Sequence, residues 1–432
     1  MTQDLERRVM RKMAWRLLPL IGLAYLMAYM DRANVSFAAV QMNVDLGFSA
    51  AVYGLGAGLF FAGYSLFEIP SNLMALRFGP RIWIARIMAT WGLVSAGMMF
   101  VETPVQFYVM RFLLGVAEAG FFPATLMYLS HWFPAAWRGR AVSRFYIAVP
   151  LSASVMGALA GVLLGMDGTW GLAGWQWLFL LEGLPAVVVA GVLLWLLPDT
   201  PDKVSWLDAA ERSWLAARLA ADVKASGAQA QSFWRVLVDR NVLLIGVVLM
   251  LGFACYNAVI FSAPVLLMQM TGWTVDSVGY LIAGSGLINS LLMLAICHHS
   301  DQFGSRHLHI AALLIAGAVS ALLLWSALAT GVSLAAYLVF AASTLIFGPL
   351  CLVLATEVLH PQSRAVGYAA VNTIAQVGNF LGPVLWGAAY DATGSAETGL
   401  AVLPVVLMAA ALLVLTGFSR DRRRDKEPLA DA

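Results

Sequence analysis

Apolar residues run along this chain in long stretches separated by short polar turns, with no alternation of the kind that marks a half-buried strand. A helix that rises about 1.5 Å per residue needs about 20 apolar residues to cross roughly 30 Å of hydrocarbon. On that measure twelve spans are predicted, near 15–37, 51–75, 83–101, 105–128, 141–165, 176–197, 242–268, 276–298, 308–329, 332–356, 365–388 and 399–418. The expected fold class is an all-α integral membrane protein with twelve transmembrane helices.

Composition agrees with this pattern, since 61% of the 432 residues are hydrophobic and only 12% are charged. A formal net charge of +2 carries little information, and nucleic acid is not an expected partner. The placement of the basic residues is informative. Arg7, Arg8, Arg11, Lys12 and Arg16 precede the first span, which is longer than a signal-peptide core and has no small-residue cleavage site, so the span is expected to be retained. Arg77, Arg81, Arg138, Arg140, Arg306, Arg364 and the tail "SRDRRRDKE" fall on the same side as that N-terminus. The opposite loops hold no Lys or Arg and instead carry Asp45, Glu102, Asp167, Asp276, Asp391 and Glu397. This asymmetry places both termini in the cytoplasm.

The longest polar stretch, 199–240, divides the chain into a bundle of six spans at 1–198 and another at 241–419, followed by a basic cytoplasmic tail at 420–432. Its piece "DAAERSWLAARLAADVKA" has apolar residues at helical spacing and reads as an amphipathic helix on the inner membrane face. The two blocks are related. Shifted by 225 residues, Gly47, Gly54, Gly79 and Arg81 fall on Gly272, Gly279, Gly304 and Arg306, and "GRAVS" at 139–143 lies one residue from register with "SRAVG" at 363–367. Two parallel, pseudo-symmetric six-helix halves are the arrangement of major facilitator transporters, with a substrate site near the membrane midplane. Gly79 and Gly304 permit tight cytoplasmic turns, and Arg81 and Arg306 are candidate cytoplasmic gate residues. Asp301 is the expected partner of Arg306, whereas the position matching it in the first half is Leu76.

Four charged residues lie deep within predicted spans: Asp31, Arg32, Arg111 and Glu118. Glu68, Arg86, Glu182 and Glu357 lie nearer span ends or at less certain depth. A charge at the bilayer centre costs at least about 2.5–3.5 kcal/mol on insertion scales, so it normally faces a partner or a water-filled cavity. From the helical rise, Asp31 and Arg32 lie about 21–23 Å from the inner end of the first span, at about the level of Arg111 in the fourth. Glu118 follows Arg111 by two turns on nearly the same face, about 10 Å closer to the cytoplasm. Adjacent helical residues do not face each other, so Asp31 and Arg32 are expected to serve different partners. Arg32 and Arg111 are candidates for holding an anionic substrate, because a guanidinium stays charged and forks onto a carboxylate. Asp31 and Glu118 are candidates for carrying protons, because burial and a neighbouring arginine act in opposite senses on a carboxyl. The alternative for all four is a static ion-pair network between helices.

With "YMDRANVSF", "GYSLFEIPSNLMALRFGPR", "RFLLGVAEAGFFPATLMYLSHWFP" and "GWQWLFLLEGLPA", the chain resembles the anion:cation symporter family of the major facilitator superfamily. The resemblance runs over nearly all of the spans and is densest in the first half. It is strongest to the bacterial tartrate and phthalate permease branch, partly through "HSDQFGSRHLH", although that branch usually has a basic residue where Gln302 stands. It is weaker to the hexonate and hexuronate permeases. The resemblance implies import of an organic carboxylate by proton symport, in a monomer of the bacterial inner membrane. By matching position, Tyr29, Arg32, Tyr64 and Arg111 would bind substrate, and Asp31 and Glu118 would couple protons. On the eleventh span Asn372, Gln376 and Asn379 share one face and can hydrogen-bond hydroxyl or carboxylate oxygens, or else hold helices together. The seventh span departs from the family pattern, offering Tyr256, Asn257 and Ser262 where relatives tend to carry Trp or a charge.

Other classes are disfavoured. No GxSxG or HExxH signature accompanies these residues, so an enzyme is not expected. No cofactor or metal is expected either: Cys255, Cys297 and Cys351 are isolated, and His298, His299, His307 and His309 read as interfacial residues. A sugar-acid symporter, an anion facilitator or exchanger without proton coupling, and a transport-coupled receptor stay open as alternatives.

Overall fold

A computed structural model describes residues 2–225, 238–326, 329–359 and 364–418. The tail at 420–432 and part of the linker at 226–237 lie outside the described residues. The described chain is built from helices joined by short turns. They are α1 (Thr2–Asp45), α2 (Ala50–Phe78), α3 (Pro80–Gly97), α4 (Pro104–Glu118), α5 (Phe121–Trp132), α6 (Ala135–Tyr146), α7 (Ala148–Leu164), α8 (Gly174–Leu196) and α9 (Ala209–Ala225). The second half adds α10 (Arg240–Ile260), α11 (Ala263–Thr271), α12 (Val275–Phe303), α13 (Arg306–Trp325), α14 (Thr330–Val358), α15 (Arg364–Thr393) and α16 (Glu397–Phe418). Among the described residues ten helical passages are long and apolar enough to cross a membrane, with α4 and α5 counting as one passage. The 17-residue α7 and the 30-residue α15 occupy the remaining two predicted spans.

Three predicted spans are interrupted, for local reasons. The fourth breaks between α4 and α5, where Gly120 has φ 83° and Pro123 follows without an amide hydrogen to donate. The break leaves the Ala119 carbonyl outside the helical ladder, and the Ser71 hydroxyl donates to it at 2.6 Å. The fifth divides into α6 and α7 at Ile147, three residues before Pro150, which has no amide hydrogen to donate. The seventh stops at Phe261–Ser262 before Pro264, and the Tyr53 hydroxyl donates to the Phe261 carbonyl at 2.7 Å. The first span extends beyond its predicted ends, because the polar N-terminal residues continue the same helix for 44 residues in all.

By packing, the chain divides into a unit of residues 1–42 and 62–228 and a unit of residues 43–61 and 229–432. In the first, α3 and α8 pack closely because Gly92 and Gly183 meet: a Cβ on Gly92 would lie 2.6 Å from the Gly183 carbonyl oxygen. Small residues of this kind let backbones approach where lipid gives no hydrophobic drive. In the second, α10 lies against α15, and a large apolar core runs through α10 and α13–α16, with Phe340, Phe347 and Leu407 fully enclosed.

Linker helix α9 does not rest on an apolar face alone. Its start is a reciprocal cap, the Glu211 amide donating to Asp208 Oδ1 at 2.8 Å and the Asp208 amide to Glu211 Oε2 at 3.0 Å. The enclosed Glu211 carboxylate then accepts from Lys12 Nζ at 2.8 Å and Arg8 Nε at 2.9 Å, docking α9 on the first turns of α1. Burial alone would raise the Glu211 carboxyl, but the Lys12 ammonium and the backbone bond hold it below the usual range.

Candidate functional site

In the first unit, α1, α2, α3, α4 and α8 bring a set of charged side chains together. Helix α4 starts at a capping box, Thr103 Oγ1 accepting from the Gln106 amide and Gln106 Oε1 accepting from the Thr103 amide, with Pro104 opening the helix. Its buried face runs through Phe107, Arg111, Leu114, Gly115 and Glu118, so the two-turn spacing puts both charges inside; each is 0% exposed.

Arg32 Nε donates to Glu118 Oε2 at 2.8 Å. The same guanidinium lies over the rings of Tyr29 at 4.9 Å and Tyr64 at 5.1 Å, so one cation is shared between a carboxylate and two aromatic faces. Its neighbour Asp31 turns to a different set of partners. Asp31 Oδ1 accepts from the Ser95 hydroxyl and from Asn34 Nδ2, and its charge is felt by Arg111. Asp31 Oδ2 and Glu118 Oε1 meet no donor among the described residues other than each other's carboxyl. Free acceptor capacity on two enclosed carboxylates is costly unless a proton or another donor takes it up.

Three members of this set were not legible as site residues in the sequence. Asn34 follows Asp31 by one turn, and Ser95 sits in the apolar run "GLVSAGMMF"; nothing in either stretch marks a partner for a distant carboxylate. Glu182 did carry a signal, as a charge in "WLFLLEGLPA", but its depth was uncertain. Helix α8 buries it beside Asp31 and Asn34, with the Asn34 side chain as a hydrogen-bonding neighbour. This set thus holds three enclosed carboxyls, Asp31, Glu118 and Glu182, and two arginines, Arg32 and Arg111.

The second unit holds a neutral polar chain. Asn257 Nδ2 donates to Asn379 Oδ1 at 2.6 Å, and Asn379 Nδ2 donates to Gln376 Oε1 at 2.5 Å. Asn372 lies one further turn away on α15 and is half-buried. Asn257, from the departing stretch of the seventh span, is therefore the anchor of the predicted amide face.

The turn arginines each hold an acid within their own unit. Arg306 pairs with Asp301 at 2.6 Å and with Glu357 at 2.5 Å, tying α12, α13 and α14. Arg81, which lacked an acid at the equivalent turn position, pairs with Asp199 at 2.8 Å and donates to the Leu194 carbonyl. Its partner comes from just past the end of α8 instead of its own turn. The histidines form side-chain pairs, His299 Nδ1 with His309 Nε2 at 2.8 Å and His298 Nε2 with Gln302 at 3.0 Å.

Against families of known proteins, residues 21–383 and 263–431 match the model described as Major Facilitator Superfamily. An Agrobacterium vitis protein named "Putative tartrate transporter" is 41% identical over 421 residues, 96% of each chain. An Acinetobacter baumannii protein named "Quinolone resistance transporter" is 37% identical over 427 residues, 98% of this chain and 97% of its own. Among solved structures, a bacterial homologue of the human lysosomal transporter Spinster superimposes with a TM-score of 0.76 at 18% identity, over 96% of this chain and 99% of that one.

Proposed function

Because the chain belongs to the major facilitator superfamily, and so is a multi-pass membrane transporter and not an enzyme, we propose that it imports an organic carboxylate by proton symport with alternating access. The observation that carries this reading is the Arg32–Glu118 pair, a forked cation held by an enclosed carboxylate beside a second arginine and a second carboxyl. An incoming carboxylate competes with Glu118 for Arg32. Once Arg32 turns to the substrate, Glu118 is a carboxylate without its cation in a dry interior, and a proton is its cheapest partner. Anion and proton therefore bind together, which is the requirement for symport.

In this reading Tyr29, Arg32, Tyr64 and Arg111 bind the substrate, Asp31 and Glu118 couple protons, and Asn372, Gln376 and Asn379 hydrogen-bond substrate oxygens. Arg81, Arg306 and Asp301 are cytoplasmic gate residues. The protein works as a monomer in the bacterial inner membrane with both termini in the cytoplasm. Tartrate or a related hydroxy or aromatic acid is the proposed substrate class, supported by the name of the Agrobacterium relative. The Acinetobacter relative, named for quinolone resistance, is a reason to test widely.

The test is uptake into proteoliposomes under an imposed inward proton gradient, with tartrate, phthalate, hydroxyphenylacetate, galactonate and glucuronate. Accumulation of tartrate or phthalate that collapses with the gradient supports the proposal. Accumulation of galactonate or glucuronate instead would make it a sugar-acid symporter. Equilibration without accumulation for every acid would make it a facilitator or exchanger.

A further inference from the structure

A concavity in the first unit is lined by none of the charged residues described above. It is a groove of about 830 Å³ between the N-terminal half of α1 and the α6–α7 junction. Its wall is apolar, formed by residues such as Trp15, Leu18, Leu26, Phe145 and Leu151. At one end stand four arginines, Arg7 and Arg11 from α1 and Arg140 and Arg144 from α6. The two faces of the first turns of α1 are therefore used differently. Arg8 and Lys12 are neutralised by Glu211, whereas Arg7, Arg11 and Arg144 have no carboxylate partner among the described residues. Arg140 lies over the Trp137 ring at 4.6 Å, and the nearby acid Glu6 is engaged by the Trp137 indole at 2.6 Å. Gly22 opens the middle of the groove: a Cβ there would meet nothing within 4 Å.

We propose that this groove binds a phospholipid with an anionic headgroup, its phosphate against Arg11, Arg140 and Arg144 and an acyl chain along the wall past Gly22. Both ends of the ligand are specified by the site. Uncompensated guanidiniums fork onto phosphate oxygens, and basic pockets between membrane helices bind anionic lipid headgroups. A small hydrophilic dicarboxylate suits the arginine end but gains nothing from a wall of Trp, Leu and Phe, whereas an acyl chain gains at every buried methylene. On the positive-inside reading this lipid belongs to the inner leaflet.

The test is native mass spectrometry of the purified full-length protein, delipidated and titrated with phosphatidylglycerol or with phosphatidylethanolamine of the same chains. One phosphatidylglycerol should be retained with about tenfold preference. Arg11→Gln/Arg144→Gln should lose the preference, and Arg77→Gln, outside the groove, should keep it. Gly22→Leu, which the open space accommodates, should lower retention of both lipids by filling the path of the chain; it also answers the question if the double variant fails to fold. Equal retention of the two lipids by the wild type, or an unchanged preference in the double variant together with unchanged retention in Gly22→Leu, would overturn the proposal. Displacement of the lipid by millimolar tartrate would assign the arginines to the substrate path and overturn it too.

Discussion

Arg111 and Glu182 separate binding from coupling at the scale of single residues. Arg111 is enclosed on the inward face of α4 and electrostatically tied to Asp31. Lysine keeps its charge and loses the planar fork, so Arg111→Lys is expected to weaken substrate affinity by about 10–100-fold, the range for a charge-assisted hydrogen bond. Isothermal titration with the transported acid checks this; unchanged affinity would remove Arg111 from the site. Glu182 is buried beside Asp31 and Asn34, with no cation among the groups that act on it. Glu182→Gln keeps the shape and removes a titratable carboxyl from beside Asp31. The pH profile of uptake should change while counterflow persists. A profile that stays in place would show that Asp31 does not feel Glu182. These two residues also show how far the sequence could be read. Arg111 announced itself by its spacing from Glu118, whereas the partners of Asp31 required knowing which helices α3 and α8 lie beside.

At the scale of elements, apolar length predicted where the helices run and turn chemistry decided where they break. Gly120 and Pro123, and Ser262 and Pro264, were visible as residues, but a glycine or proline in an apolar run does not by itself tell a break from a kink. The docking of α9 on α1 depended on a tertiary ion pair that periodicity does not encode. That contact makes its own prediction. Glu211 is held below the usual carboxyl range, so its contribution to docking is present above the ordinary carboxyl value and is lost as pH falls through the lowered one. Hydrogen exchange over 209–222, corrected for intrinsic rates, should show α9 protected at neutral pH and loosened in acid, below the ordinary carboxyl range. Glu211→Gln should loosen it at neutral pH, at a cost of about 1–3 kcal/mol. Full protection in that variant would show that the apolar contacts of Leu207 and Leu215 suffice.

For the whole molecule, the hydrophobic pattern and the 225-residue internal repeat made the superfamily fold readable before any coordinates. The chemistry was readable only in part, because burial makes a charge conspicuous in a sequence but does not name its partner. In the proposed transport cycle substrate and proton meet through one carboxylate, Glu118, which surrenders Arg32 to the anion. Its most direct test compares wild type and Glu118→Gln in proteoliposomes loaded with the transported acid, measuring accumulation under a proton gradient and counterflow without one. Glu118→Gln is expected to lose accumulation entirely and keep counterflow, since a neutral amide still permits binding but cannot exchange a proton. Gradient-driven accumulation retained in Glu118→Gln would contradict it.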